Sequence, residues 1–189
     1  DSLSINKSSG EVQLAQDIMV GGDLELLNTN INLQTSNLEM LDPSSISGAS
    51  TSGYVQTSGT GTLARPVADA DVTFPVGNST YNPAILNNNG GTADFYTMRV
   101  RDELREGCTS GAAVTEYGVN RTWEISEETG GGSNLDVTLT WSAAEEIGNT
   151  GSDFVQANYN SSMWNTVASG AEGSTFDLKR LGFLVNWDR

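Results

Sequence analysis

The chain has 189 residues, enough for one large domain or two small ones with a real core. Its 24 acidic and nine basic side chains give a formal charge of −15. That leaves no basic stripe to neutralise phosphates, and so excludes nucleic acid and disfavours an anionic membrane surface. Histidine is absent and Cys108 is the single cysteine, which removes Ser-His-Asp and Cys-His catalysis, the commonest metal ligand and any intrachain disulfide.

Residues 1–53 contain no aromatic side chain, and all four Trp lie in the second half. Apolar-x-apolar triplets recur at Leu3/Ile5, Val12/Leu14, Ile18/Val20, Leu24/Leu26, Ile31/Leu33 and Leu38/Met40. Each has the period of two that marks a half-buried strand. Polar corners such as Gly21-Gly22-Asp23, Asn28-Thr29-Asn30 and Thr35-Ser36-Asn37 separate them. Taken three at a time, the triplets repeat after about twenty residues, the length of one small β-helix coil. This spacing predicts that Leu3 stacks on Leu24, Val12 on Ile31 and Ile18 on Leu38. A heptad can be drawn through Leu24, Leu27, Ile31, Leu38 and Leu41. The Asn and Thr residues between them are poor helix formers. An irregular β-meander is the other alternative.

From Tyr54 the strands lengthen. Strands are expected at Tyr54–Thr57, Thr62–Arg65, Asp71–Phe74, Ala84–Leu86, Phe95–Arg101, Val119–Ile125, Leu135–Trp141, Phe154–Tyr159, Met163–Val167, Thr175–Leu178 and Gly182–Trp187. Asn87-Asn88-Asn89-Gly90-Gly91 and Gly130-Gly131-Gly132-Ser133 read as turns, because Asn and Gly supply positive φ cheaply. Pro75 marks a strand end or edge. A short helix fits only Ser142–Ile147 or Asp102–Glu106. Arg121 falls on the apolar side of its strand, so its guanidinium is expected to pair with a carboxylate at the sandwich edge. The predicted fold is all-β: a short β-helix-like strand stack over residues 1–65, then an antiparallel β-sandwich over residues 66–189.

Several motifs carry a further resemblance. Tyr54-Val55-Gln56-Thr57, Gly59-Thr60-Gly61-Thr62-Leu63-Ala64-Arg65, Val72-Thr73-Phe74-Pro75-Val76-Gly77 and Tyr81-Asn82-Pro83 come in that order. Asp94-Phe95 to Arg101, Arg121-Thr122-Trp123-Glu124-Ile125 and Leu135 to Trp141 follow. The series resembles a module of secreted surface proteins of the Bacteroidota, including adhesin-like and gliding-associated polypeptides. The resemblance implies export by the type IX route and an extracellular, cell-surface location. It also implies a C-terminal sorting domain, which is not seen in the sequence and is expected either to have been cut away after Arg189 or to lie further along the polypeptide. Asp1 reads as a mature terminus left by signal-peptide removal, and Asp1-Ser2-Leu3 resembles the O-glycosylation triplet of the same phylum.

No catalytic residues are expected, and the chain is read as a structural protein, not an enzyme. Glu127-Glu128 and Glu145-Glu146 are the carboxylate pairs a glycosidase would need, at a separation only the fold can set. Asp69, Asp71 and Asp94, with Asp102, Glu103 and Glu106, leave calcium as the one cofactor open to the chain, without EF-hand spacing. Tyr54, Tyr81, Trp141, Trp164 and Trp187 would serve a carbohydrate-binding module for surface glycans if they formed a platform. Asn6, Asn78, Asn120 and Asn160 begin Asn-x-Ser/Thr triplets. The expected partner is the chain itself, as a homopolymer. Leu3 and Ile5 near one end, and Phe183 and Val185 near the other, are the candidate assembly residues. No apolar run is long enough to span a membrane.

Overall fold

The computed structural model describes residues 2–115, 118–148, 154–160, 163–166 and 178–185. The first part is a β-solenoid of about four turns, built on three parallel faces. The first face stacks Leu3–Asn6, Leu24–Leu27 and Ile46–Ser47. The second stacks Val12–Gln13, Ile31–Asn32, Val55–Gln56 and Val76–Gly77. The third stacks Ile18–Val20, Leu38–Met40 and Leu63–Val67. Leu3 pairs with Leu24, Val12 with Ile31 and Ile18 with Leu38, the register expected from the triplets. Neither the helix nor the meander forms.

The corners explain why. Asn28 and Gln34 adopt positive φ (59° and 55°), which turns the chain between faces. Corner side chains also bond from coil to coil. The Asn37 backbone N–H donates to Asp17 Oδ1 at 2.7 Å, and the Thr62 N–H to Asn37 Oδ1 at 3.1 Å. Asn32 Nδ2 donates to Glu11 Oε2 at 3.0 Å, and Ser58 Oγ to Asn32 Oδ1 at 2.8 Å. The step is 20 residues from Asp17 to Asn37 and 25 from Asn37 to Thr62.

The third face does not stop at the solenoid. Leu63–Val67 pairs parallel with Leu38–Met40 on one side and antiparallel with Asp94–Arg101 on the other. The sheet then adds Thr122–Glu127, Leu178–Val185, Phe154–Asn160 and Met163–Thr166, all antiparallel. A smaller antiparallel sheet of Val72–Phe74, Ala84–Asn88 and Leu135–Leu139 completes the sandwich. At Pro75 the chain leaves this sheet and enters the solenoid's second face. One core joins both parts, from Leu24, Leu26 and Leu38 to Phe74, Tyr96 and Trp123. The parallel stack therefore reaches past residue 65, to Val76–Gly77.

Among the described residues, helix is confined to one 3-10 turn, Ala143–Glu145, within the expected Ser142–Ile147 segment. Asp102–Glu106 is not helical. Arg105–Gly107 instead forms a hairpin with Ser110–Ala113, turned at Cys108 with positive φ (60°), and Gly111 inside the returning strand is also at positive φ (81°). The expected strand Thr175–Leu178 lies outside the described residues except for Leu178, as do Trp187 and the Trp164 side chain. Among the described residues, no helix is long and apolar enough to cross a membrane.

Candidate functional site

Burial along the solenoid ladder falls off at the first coil. In the second coil Leu24, Leu26, Leu33 and Leu38 are fully buried and Ile31 is 1% exposed. One coil earlier, Ile5, Val12, Leu14 and Ile18 are only half-buried, and Leu3 is exposed. Three large hydrophobic side chains are exposed among the described residues, and two of them, Leu3 and Met19, lie on this coil.

The backbone tells the same story. The N–H groups of Leu3, Val12, Leu14 and Ile18 donate to carbonyls of the second coil at 2.8–3.0 Å. In a parallel ladder, alternate residues face opposite sides. Ser4, Gln13 and Met19 therefore aim their N–H and C=O groups away from the second coil. Among the described residues, no strand lies beyond them.

At its other end the solenoid runs into the sandwich along its second and third faces, while its first face ends at Ile46–Ser47, with no strand beyond it among the described residues. Val100 N donates to Thr57 Oγ1 at 2.9 Å, and that hydroxyl lies 3.1 Å from Gly77 O. Tyr54 and Tyr81 pack with ring centroids 5.6 Å apart. Phe183 and Val185 belong to Leu178–Val185, which has strands on both sides: Phe154–Asn160 on one, Thr122–Glu127 and Gly118–Val119 on the other. Leu3 and Ile5 thus lie at an open strand edge, and Phe183 and Val185 lie inside a sheet.

The charged residues of the sandwich build two structural networks. Arg121 is 6% exposed and reaches Glu145 Oε1 at 3.1 Å, Asn82 Oδ1 at 3.1 Å and Thr80 Oγ1 at 2.8 Å. Asp102 Oδ1 stands 3.4 Å from its Nε. Asn82 Nδ2 donates to Glu145 Oε2 at 2.8 Å, and Trp123 Nε1 donates to the Asn82 carbonyl at 3.0 Å. Arg121 finds the carboxylate expected of it, and the Tyr-Asn-Pro and Arg-Thr-Trp motifs meet in one buried cluster.

The second network alternates in sign. Arg99, Glu124, Arg101, Glu103 and Arg105 pair in sequence at 2.6–3.1 Å. Burial pushes the Glu124 carboxyl up, but hydrogen bonds and charge from Arg99 and Arg101 more than offset this and hold it below its usual value. Beside this ribbon, at the junction of solenoid and sandwich, Arg99, Arg101, Asp102, Glu103, Asn78 and Thr60 line an open cleft of about 390 Å³.

The remaining candidate side chains are dispersed. Asp71 accepts from Asn87 Nδ2, and Asp94 accepts from the N–H groups of Phe95 and Thr129. Asp69 and Glu106 are exposed. Among the described residues, no three Asp, Glu or Cys side chains converge as metal ligands. Glu127 is buried against Ser133, whose hydroxyl also receives Tyr96 Oη at 2.9 Å, whereas Glu128 is exposed. Burial pushes the Tyr96 phenol up. Glu145 belongs to the Arg121 cluster, and Trp141 Nε1 lies 3.3 Å from Glu146 Oε1. Tyr54 is buried and Trp141 packs against the core, so neither lies on an open platform. Cys108 is buried.

Sequence reasoning missed the cleft and its charge ribbon. Arg99-x-Arg101 in a strand, with Glu124 on its neighbour, was the available signal, because period-two spacing puts both cations on one face.

The chain matches no protein-family model, no curated protein and no solved structure.

Proposed function

We propose that the chain is an extracellular structural module, a cell-surface or filament subunit or one module of a surface adhesin, which joins its neighbour by strand pairing. The observation that carries this is the uncovered first coil: three strand edges and a half-buried aliphatic rung at one end of the solenoid. An open edge of this kind is a template for another chain unless something covers it. The motif residues favour a structural role too, since Asn82, Arg121 and Trp123 are spent on interior bonds. The resemblance to Bacteroidota surface modules supports type IX export and surface placement. Sedimentation of the intact chain at rising concentration tests the proposal, beside a variant lacking residues 1–7. The intact chain is expected to grow into larger species and the truncated one to stay monomeric with unchanged near-UV circular dichroism. An intact chain that stays monomeric, or a truncated one that assembles equally, contradicts it.

One observation favours a second reading, a carbohydrate-binding module. The cleft holds two cations and two carboxylates beside Asn78 and Thr60. Charge-balanced donors and acceptors suit the hydroxyls of a neutral saccharide. Isothermal titration against a panel of neutral sugars, with Asn78→Ala as the control, decides this reading.

A further inference from the structure

This inference rests on the open end just described and names what fits it. We infer that the first coil accepts a further parallel β-coil of about twenty residues, in the register the molecule's own coils use. That coil places aliphatic side chains over Leu3, Val12 and Ile18, and a carboxamide at the corner over Asp17.

The argument is continuity with the coil-to-coil interface already present. The first two steps down the solenoid repeat the same three devices. Aliphatic side chains stack at equivalent positions: Leu3 on Leu24 on Ile46, Val12 on Ile31 on Val55, and Ile18 on Leu38 on Leu63. Backbone N–H groups of one coil reach carbonyls of the next. A corner oxygen of one coil accepts the backbone N–H of the coil below, from Asp17 to Asn37 to Thr62. The first coil presents the receiving half of all three. Its rung is half-buried, the edge groups of Ser4, Gln13 and Met19 face outward, and the Asp17 N–H holds the place that Asn37 and Thr62 hold below it.

Two copies meeting first coil to first coil fit this end less well. Their strands would then run antiparallel, and the corner carboxylates Glu11 and Asp17 of both would be brought together. Like charges facing one another across a contact oppose it. A coil whose corner carries Asn adds no such repulsion.

The test supplies that chemistry to the full chain. A copy of residues 21–41 is fused directly ahead of Asp1, so that the copied Leu24, Ile31 and Leu38 fall over Leu3, Val12 and Ile18. Backbone amide exchange is then followed at Ser4, Gln13 and Met19. Stacking is expected to slow these amides by at least about tenfold, since an edge N–H that gains a partner exchanges only on local opening. A control fusion carrying Leu24→Ser, Ile31→Ser and Leu38→Ser in the copied coil is expected to leave the rates at those of the unfused chain. A second fusion through a flexible Gly-Ser linker, which cannot strain the body, is expected to protect the same amides. Unchanged rates in both fusions, with the near-UV dichroism of the body intact, overturn the inference. If instead the unfused chain gains protection as its concentration rises while the fusions gain none, a second copy is the occupant. Assembly then stands and this inference falls. Protection in the fusions with an unfused chain that stays monomeric upholds the inference and removes self-assembly.

Discussion

Arg121 and Glu145 show what a charge does inside this sandwich. Both are almost fully buried, and each has hydrogen bonds beyond the ion pair. Removing one partner strands the other in a low-dielectric interior. Glu145→Ala is therefore expected to lower stability by roughly 3–5 kcal/mol, and replacing both residues by apolar ones of similar volume is expected to cost less. Urea denaturation of the two variants checks this. Glu124 sets a pH dependence. Its carboxyl is held below the ordinary value by Arg99 and Arg101, so it contributes stability that is fully present above the unfolded-state value of about 4.3. That stability is lost as pH falls through the lower folded value. The urea midpoint is expected to fall with acidification below about pH 4, and Glu124→Gln to start lower at neutral pH and fall less steeply. Arg121's need for a carboxylate was legible, because a cation on the apolar side of a strand needs a counter-charge. Its identity was not, since Glu145 is 24 residues away and Thr80 is 41.

At the scale of elements, the coils hold together by close approach as well as by aliphatic stacking. A Cβ on Gly59 would lie 2.1 Å from Gln34 O, and one on Gly61 would lie 2.0 Å from Ser36 O. The Gly-x-Gly motif lets the third coil sit against the second. Gly61→Ala is expected to destabilise by on the order of 2–3 kcal/mol, read as a fall in the thermal midpoint. Truncations along the ladder should report the burial gradient. Leu26→Ala is expected to cost about 2–5 kcal/mol, whereas Leu3→Ala, at the exposed end, is expected to cost under about 1 kcal/mol. Equal costs at the two positions would mean that the first coil is covered in solution. The coil register was legible because each triplet carries two apolar residues at period two between Gly- or Asn-rich corners. Ile46–Ser47 was not, having a single apolar residue, and neither was the hairpin, whose second strand Ser110–Ala113 is exposed throughout. Nor could sequence show that Val76–Gly77 closes the solenoid's second face, because Pro75 sits at the switch between two sheets.

As a whole the molecule is polar: one end of the solenoid runs into the sandwich along two of its faces and the other end is open on all three. A contact between that end and a different surface of the next molecule is heterologous and gives open assemblies. The formal charge of −15 works against any such contact, through repulsion that salt screens over a Debye length of about 10 Å at 0.1 M. Association is therefore expected to strengthen between about 0.01 and 0.15 M salt, opposite to the behaviour of a nucleic-acid-binding protein. Sedimentation at the two ionic strengths checks the direction. The central claim is that chains meet at the first coil, and site-specific photo-crosslinking tests it most directly. A crosslinker replaces Gln13, on the outermost rung, or Thr138, on the exposed face of the sandwich edge strand Leu135–Leu139. Position 13 is expected to yield covalent dimers in excess of position 138, with the bond mapping to a strand of the partner chain. Equal yields from both positions, or dimers from position 138 alone, would contradict the account.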